Sequence, residues 1–125
     1  MKRTLRTLAV GVTCLTAAIA TTAAEAQTYT AQYFAVINAN GATARSSGVD
    51  SSTRPSTGVY QVVFNRTELR NCAVTASLLG TVPGMLSMQV PVNGKTATIR
   101  TFTKAGAAAN RAFQMTVLCG PTSPN

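Results

Sequence analysis

The chain has 125 residues, a formal net charge of +8 at neutral pH and no histidine. Without histidine, the Ser-His-Asp and Cys-His catalytic arrangements are excluded, and so are most protein metal sites. Only three acidic residues are present, so a site built on paired carboxylates has few possible members.

The first 26 residues have the organisation of a cleavable secretory signal. Basic residues come first, an apolar stretch follows over residues 8–20, and Ala24-Glu25-Ala26 fits the small-x-small cleavage pattern. We therefore predict that the mature chain begins at Gln27 and is secreted or periplasmic. The alternative is an uncut N-terminal membrane anchor, although the apolar stretch is short for a span and no second one follows.

Residues 27–125 then form a single small domain with two cysteines, Cys72 and Cys119. An even count in an oxidising compartment predicts one disulfide between them. The chain-entropy model gives a bridge over this separation about 4 kcal/mol of stability, which is a large share for a small domain. The alternatives are two free thiols, a thiol pair that binds metal, or a bridge to another chain.

Basic residues dominate the charge of the mature chain. Without the signal, the chain contains eight basic residues and only two acidic ones, Asp50 and Glu68. This excess of positive charge favours an anionic envelope component, glycan or other polyanion as partner. The basic residues are dispersed, however, so solubility is the alternative interpretation. They are Arg45, Arg54, Arg66, Arg70, Lys95, Arg100, Lys104 and Arg111.

The first half of the mature chain predicts four strands, at Tyr33–Asn38, Ala42–Ser47, Val49–Arg54 and Val59–Phe64. In the last of these, apolar residues alternate at period two, which is typical of a half-buried strand. The Asn-Gly pair after the first strand favours a tight turn, and a proline after the third indicates an edge or a strand end.

The second half predicts four more strands, at Cys72–Leu79, Met85–Val92, Lys95–Thr103 and Ala112–Cys119. Leu69, alone among polar neighbours, is expected to plug the end of the core. A second Asn-Gly pair, at positions 93 and 94, predicts another hairpin turn, and residues 104–111 are expected to form a loop. The pattern predicts an all-β fold, an antiparallel β-sandwich or small barrel of about eight short strands.

Four stretches of the chain resemble a module found in many secreted bacterial proteins. They are Tyr33–Gly41, Arg45–Val49, Gly58–Arg66 and Asn71–Ala73. The module has the form F-A-V-V-N-x-x-G-x-x-x-R-x-x-G-V, followed by G-x-Y-x-V-x-F-x-R and a strand that begins C-A. The resemblance covers residues 33–80 and continues loosely to the strand of Cys119.

The resemblance implies a small β-domain of an exported or cell-surface protein, and it implies no activity. Some such modules are attached to tail-fibre or adhesin-like chains. Val74 stands where the module often has Tyr, and Glu68-Leu69 replaces a short acidic turn. Neither departure affects the fold that the resemblance implies.

Few residues offer chemistry. Asp50 and Glu68 are formally a carboxylate pair, but their polar surroundings favour surface ion pairs, and Lys95 and Lys104 are expected to be solvated amines rather than members of a Ser-Lys dyad. No catalytic group, metal site or cofactor is predicted. The triplet that begins at Asn65 matches a glycosylation acceptor, although such triplets are common by chance.

One cluster predicts a binding site: Phe102 lies between Arg100 and Lys104, a basic-aromatic-basic arrangement. Such clusters contact anionic or stacked ligands, and packing at the edge of the core is the alternative. Nucleic acid is not the favoured partner, because the other aromatic residues follow strand periodicity.

Three hypotheses about function follow. The first is a non-enzymatic binding or surface-interaction module, acting on a glycan, an envelope component or a protein. The second is a structural subunit that assembles on itself or on another chain. The third is a small inhibitor of an extracellular enzyme, acting through a loop such as residues 68–70.

Overall fold

The computed structural model describes residues 31–66, 68–91 and 93–120, which contain eight β-strands and no helix. The predicted signal segment, residues 27–30, Thr67 of the glycosylation triplet, Val92 and the tail from 121 to 125 lie outside the described residues. The strands are β1 (Ala31–Ile37), β2 (Thr43–Ser47), β3 (Val49–Ser56), β4 (Val59–Phe64), β5 (Cys72–Leu78), β6 (Gly84–Gln89), β7 (Thr96–Thr103) and β8 (Phe113–Cys119).

The strands form two separate four-stranded sheets, so the fold is a β-sandwich rather than a barrel. The first sheet has the order β2-β1-β8-β5 and the second has the order β3-β4-β7-β6. All neighbouring strands are antiparallel. Pro55 lies in β3, an edge strand whose pairing with β4 is irregular after Thr53. Proline has no N–H to donate to a neighbouring strand, which suits this position.

The alternating residues of the central strands point inward, as the sequence predicts. Tyr60, Val62 and Phe64 of β4 are fully buried, and Leu69 is 2% exposed at the end of the core. The inward residues of the edge strands β5 and β6 are only half-buried. The other core residues are Ala35, Ile37, Ala97, Ile99, Phe113, Met115, Val117 and Cys119.

Strands β6 and β7 form an antiparallel hairpin whose register is centred on Asn93-Gly94, which confirms the predicted turn. Both strands are shorter than predicted, because β6 ends at Gln89 and β7 begins at Thr96. The carbonyl of Gly94 accepts a hydrogen bond from the Leu69 N–H, and that of Lys95 accepts one from the Phe64 N–H. The segment is therefore also held by β4 and by the loop after it.

The disulfide between Cys72 and Cys119 is present and confirms the prediction. The two residues are direct partners on β5 and β8, with 4.0 Å between their Cα atoms. Both side chains belong to the inward face of the same sheet. The bridge therefore fixes an edge strand to a central strand rather than one sheet to the other.

Strand register divides the connections between two ends of the sandwich. Four connections lie at one end, which we call the upper end: residues 38–42, 57–58, 79–83 and 104–112. The lower end carries the disulfide, the crossing at Gly48, the loop after β4 and the connection before β7.

At the lower end the chain passes from the first sheet to the second at Gly48. Its φ is +69°, and a Cβ atom there would collide with the ring of Tyr33. The Arg66 guanidinium lies 5.9 Å from the centroid of that ring, and Phe64 packs edge-on at 6.2 Å. The Gly-Val and Phe-x-Arg elements of the sequence pattern thus build a structural corner.

At the upper end the hydroxyl of Tyr60 joins three segments. It donates a 2.9 Å hydrogen bond to the carbonyl of Ala39 and accepts one of 2.9 Å from the backbone N–H of Arg111. The Tyr60 ring packs edge-on against Phe113 with 5.1 Å between centroids. Segment 104–112 is therefore anchored to the core, and it is a loop, as predicted.

Candidate functional site

The three residues of the predicted basic-aromatic cluster lie together at the upper end. Arg100 and Phe102 occupy alternate positions of β7 and point to the outer face of the second sheet, because Thr101 between them is buried. Lys104 follows in the turn after β7. Arg100 and Lys104 are exposed, whereas Phe102 is half-buried.

The partial burial of Phe102 comes from neighbours that the sequence alone does not connect with it. Met85 of β6 is its direct partner in the sheet. Ala108 forms an isolated bridge with Phe102, and the Met85 side chain also approaches Gly106. Phe102 thus lies on the outer face of the second sheet, next to Met85 and Ala108, and it is not part of the core.

Exposed large apolar side chains concentrate near this cluster. Within the described residues four such side chains are exposed, and three of them lie at or next to the β5–β6 loop: Leu79 at 36%, Val82 at 63% and Met85 at 47%. Such clustering is typical of interaction surfaces. We define the upper-end surface by seven residues: Leu79, Val82, Met85, Arg100, Phe102, Lys104 and Arg111.

Arg111 fixes the conformation of the β5–β6 loop. Its Nη1 donates a 2.7 Å hydrogen bond to the carbonyl of Val82, and its Nη2 donates one of 3.1 Å to the carbonyl of Pro83. The Leu79 N–H donates a 2.9 Å bond to the carbonyl of Ala112. The loop is therefore held by segment 104–112, with the Val82 side chain directed into solvent.

The charges of the described residues are segregated between the two ends. Both acidic side chains lie at the lower end, where Asp50 contacts Lys95 at 3.5 Å and Glu68 contacts Arg70 at 3.4 Å. This confirms the prediction that they form surface ion pairs. The upper end carries Arg100, Lys104, Arg111 and also Arg54, which bonds the carbonyl of Ala39.

This arrangement gives the upper end a positive potential that no nearby carboxylate of the described chain compensates. Exposed like charges within a few ångströms to about 10 Å reinforce each other at physiological ionic strength. Among the described residues, the upper end therefore carries an excess of positive charge, whereas both carboxylates lie at the lower end. Sequence order does not reveal this, because the basic residues are spread over the whole chain.

The fourth exposed apolar side chain, Phe34 at 42%, lies apart from this surface. It is on the outer face of the first sheet, where its direct partners are Ser47 on β2 and Thr116 on β8. Its direct cross-strand partners carry hydroxyl groups, and Arg45 lines the same shallow cavity.

The described residues contain no cluster of three or more His, Cys, Asp or Glu side chains that could hold a metal ion. Cys72 and Cys119 are bonded to each other, so neither offers a thiolate. In the same part of the chain, no helix is long and apolar enough to cross a membrane.

The resemblance to the secreted bacterial module rests on Gly48, Gly58, Tyr60, Phe64 and similar positions. In the structure these residues build the Gly48 corner and the Tyr60 hydroxyl network, so their roles are structural. Comparison with protein-family models, with curated proteins and with solved structures finds no match for this chain.

Proposed function

We propose that the chain is an exported, non-catalytic binding module that attaches to an anionic component of the cell envelope through its upper-end surface. The observation that carries the proposal is the combination of exposed apolar side chains with cations that have no acidic neighbour at that end. Such a surface attracts an anion over long range and gains further by burying apolar area on contact.

Export is part of the proposal. A disulfide is typical of extracellular and periplasmic proteins, and Cys72 is bonded to Cys119. The segment before Gln27 fits a signal peptide by its composition. Together these features are consistent with a protein that acts outside the cytoplasm.

The proposal is tested by binding of the mature chain, residues 27–125, to immobilised dextran sulfate and to an isolated envelope fraction. The upper-end double variant Arg100→Gln, Lys104→Gln removes two cations. The control Arg70→Gln, Lys95→Gln removes two cations from the lower end. Both pairs therefore change the net charge equally, and surface plasmon resonance at physiological salt compares them.

We expect the upper-end variant to lose about tenfold or more in affinity, because its cations have no acidic partners. The control should lose less than about threefold, because Lys95 and Arg70 are already paired with acids. Equal losses would show that only the total charge matters, and the proposal would then be wrong.

The inhibitor hypothesis concerns residues 68–70 at the lower end. There Leu69 is buried and Glu68 pairs with Arg70, so the loop presents few free groups. The control variant alters this loop and therefore also tests that hypothesis. Light scattering of the same samples tests the structural-subunit hypothesis.

A further inference from the structure

We propose that the partner of the upper-end surface is a lipid bilayer with anionic headgroups. In this inference, which rests on the proposed function, the β5–β6 loop inserts the Val82 side chain at the boundary between headgroups and acyl chains. The inference commits to a membrane surface rather than to an acidic peptide or a polysaccharide.

The loop between β5 and β6 exposes apolar side chains. Val82, 63% exposed, lies in this connection, which joins two edge strands at the upper end. Leu79 and Met85 flank it and are also exposed. Water gives exposed apolar side chains no favourable contact, whereas the interfacial layer of a bilayer can bury them.

Several backbone polar groups of the loop have hydrogen-bond partners within the chain. Backbone polar groups that enter a low-dielectric layer need internal hydrogen-bond partners. The carbonyls of Val82 and Pro83 both accept bonds from Arg111, and the Leu79 N–H bonds Ala112. Pro83 has no N–H to satisfy. The carbonyls of Val82 and Pro83 and the N–H of Leu79 thus have partners before any contact with lipid.

The placement of the charges also favours an anionic bilayer. Arg100 and Lys104 flank Phe102, which pairs with Met85, so cations border the apolar residues on the second sheet. Basic residues close to an anionic bilayer are attracted to its negative surface potential. Both described acidic side chains lie at the opposite end and do not oppose this approach.

An anionic polymer in water would bind the same cations, but it would not bury the apolar side chain of Val82. The apolar loop therefore distinguishes the two kinds of partner. Loss of the Val82 side chain should weaken membrane binding and leave polymer binding unchanged.

The absence of tryptophan from the sequence allows a direct test. Val82→Trp places a single reporter on the loop, and Thr75→Trp places a matched one on an exposed outer position of the first sheet. Each mature variant is mixed with vesicles of phosphatidylglycerol and phosphatidylcholine in equal parts, and with vesicles of phosphatidylcholine alone.

We expect the emission of the Val82→Trp variant to shift to the blue with anionic vesicles only, and that of Thr75→Trp to stay unchanged. In co-sedimentation, Val82→Ser should bind anionic vesicles about tenfold more weakly than the unmodified chain, because the apolar contact is lost. Its binding to dextran sulfate should be unaltered.

Three results would overturn the lipid inference. If dextran sulfate binds and vesicles do not, the proposed function stands and the lipid partner is wrong. If vesicles bind without a blue shift or a loss in Val82→Ser, the contact is purely electrostatic and insertion is wrong. If neither probe binds, the proposed function fails as well.

Discussion

The two ends of the sandwich use similar residues for different purposes. At the lower end both acidic side chains are paired with cations, the cysteines are bonded, and the aromatic Tyr33 is packed between Gly48 and Arg66. At the upper end the cations lack acidic partners and apolar side chains remain exposed beside an aromatic ring. The lower end pairs both of its acidic side chains with cations, and the upper end exposes cations next to apolar side chains.

The difference teaches that composition alone does not locate a binding surface on this chain. Arg70 and Lys95 at the lower end and Arg100 and Lys104 at the upper end are all exposed basic residues. Only the positions of Asp50 and Glu68 make the first pair balanced and leave the second pair free. Substitutions at the lower end should therefore affect stability, and substitutions at the upper end should affect binding.

The largest expected effect is loss of the disulfide at the lower end. The variant Cys72→Ala, Cys119→Ala should lose about 4 kcal/mol of unfolding free energy, because the bridge closes a separation of 47 residues. Urea unfolding of the oxidised parent and of the variant measures the difference. An unchanged unfolding midpoint would contradict the stabilising role assigned to the bridge.

The next effect compares a glycine at each end. Gly48→Ala should lose about 2–4 kcal/mol, because the new Cβ meets the Tyr33 ring and the backbone has φ +69°. Gly80→Ala in the upper loop is the matched control, since its φ is +102° but no atom lies within 4 Å of its added Cβ. It should lose only about 1–2 kcal/mol from the backbone term.

Thermal unfolding of the two alanine variants separates the backbone cost from the collision. Equal destabilisation would mean that the ring of Tyr33 moves away freely and that the Gly48 corner is not tightly packed. A larger loss at position 48 would confirm that the crossing between the sheets depends on close contact with Tyr33.

The smallest effect concerns the exposed ion pairs. Glu68→Gln should change the unfolding free energy by no more than about 0.5 kcal/mol, because both partners of the pair with Arg70 are substantially exposed. Chemical denaturation in low and high salt measures it. A loss of more than about 1 kcal/mol would show that the balanced charges of the lower end contribute to folding beyond ordinary surface pairs.

Much of the fold was predictable because a half-buried strand requires apolar and polar residues to alternate along a short stretch of sequence. The alternation of Tyr60, Val62 and Phe64 follows from the period of a β-strand, and these residues are buried as expected. The even count of cysteines after the predicted signal likewise predicted their bridge correctly. The Asn93-Gly94 pair also predicted the turn between β6 and β7 correctly. The strand ends were predicted less accurately, because β6 already ends at Gln89 and β7 begins only at Thr96.

The candidate site was predictable only in part. Arg100, Phe102 and Lys104 are neighbours in sequence, so the cluster was visible as a short motif. Met85 was not, because its pairing with Phe102 depends on the register between β6 and β7. The anchoring of the β5–β6 loop by Arg111 joins segments almost 30 residues apart, and no local pattern encodes it.

The sequence by itself determined the all-β class, most strand positions, the inward faces and the partner of each cysteine. These features depend on side-chain alternation and on cysteine count, which the chain carries locally. The tertiary structure alone decided the strand order, the separation of charge between the two ends and the surroundings of Phe102. These depend on which distant strands become neighbours, and that outcome follows from packing of the whole core rather than from any one segment.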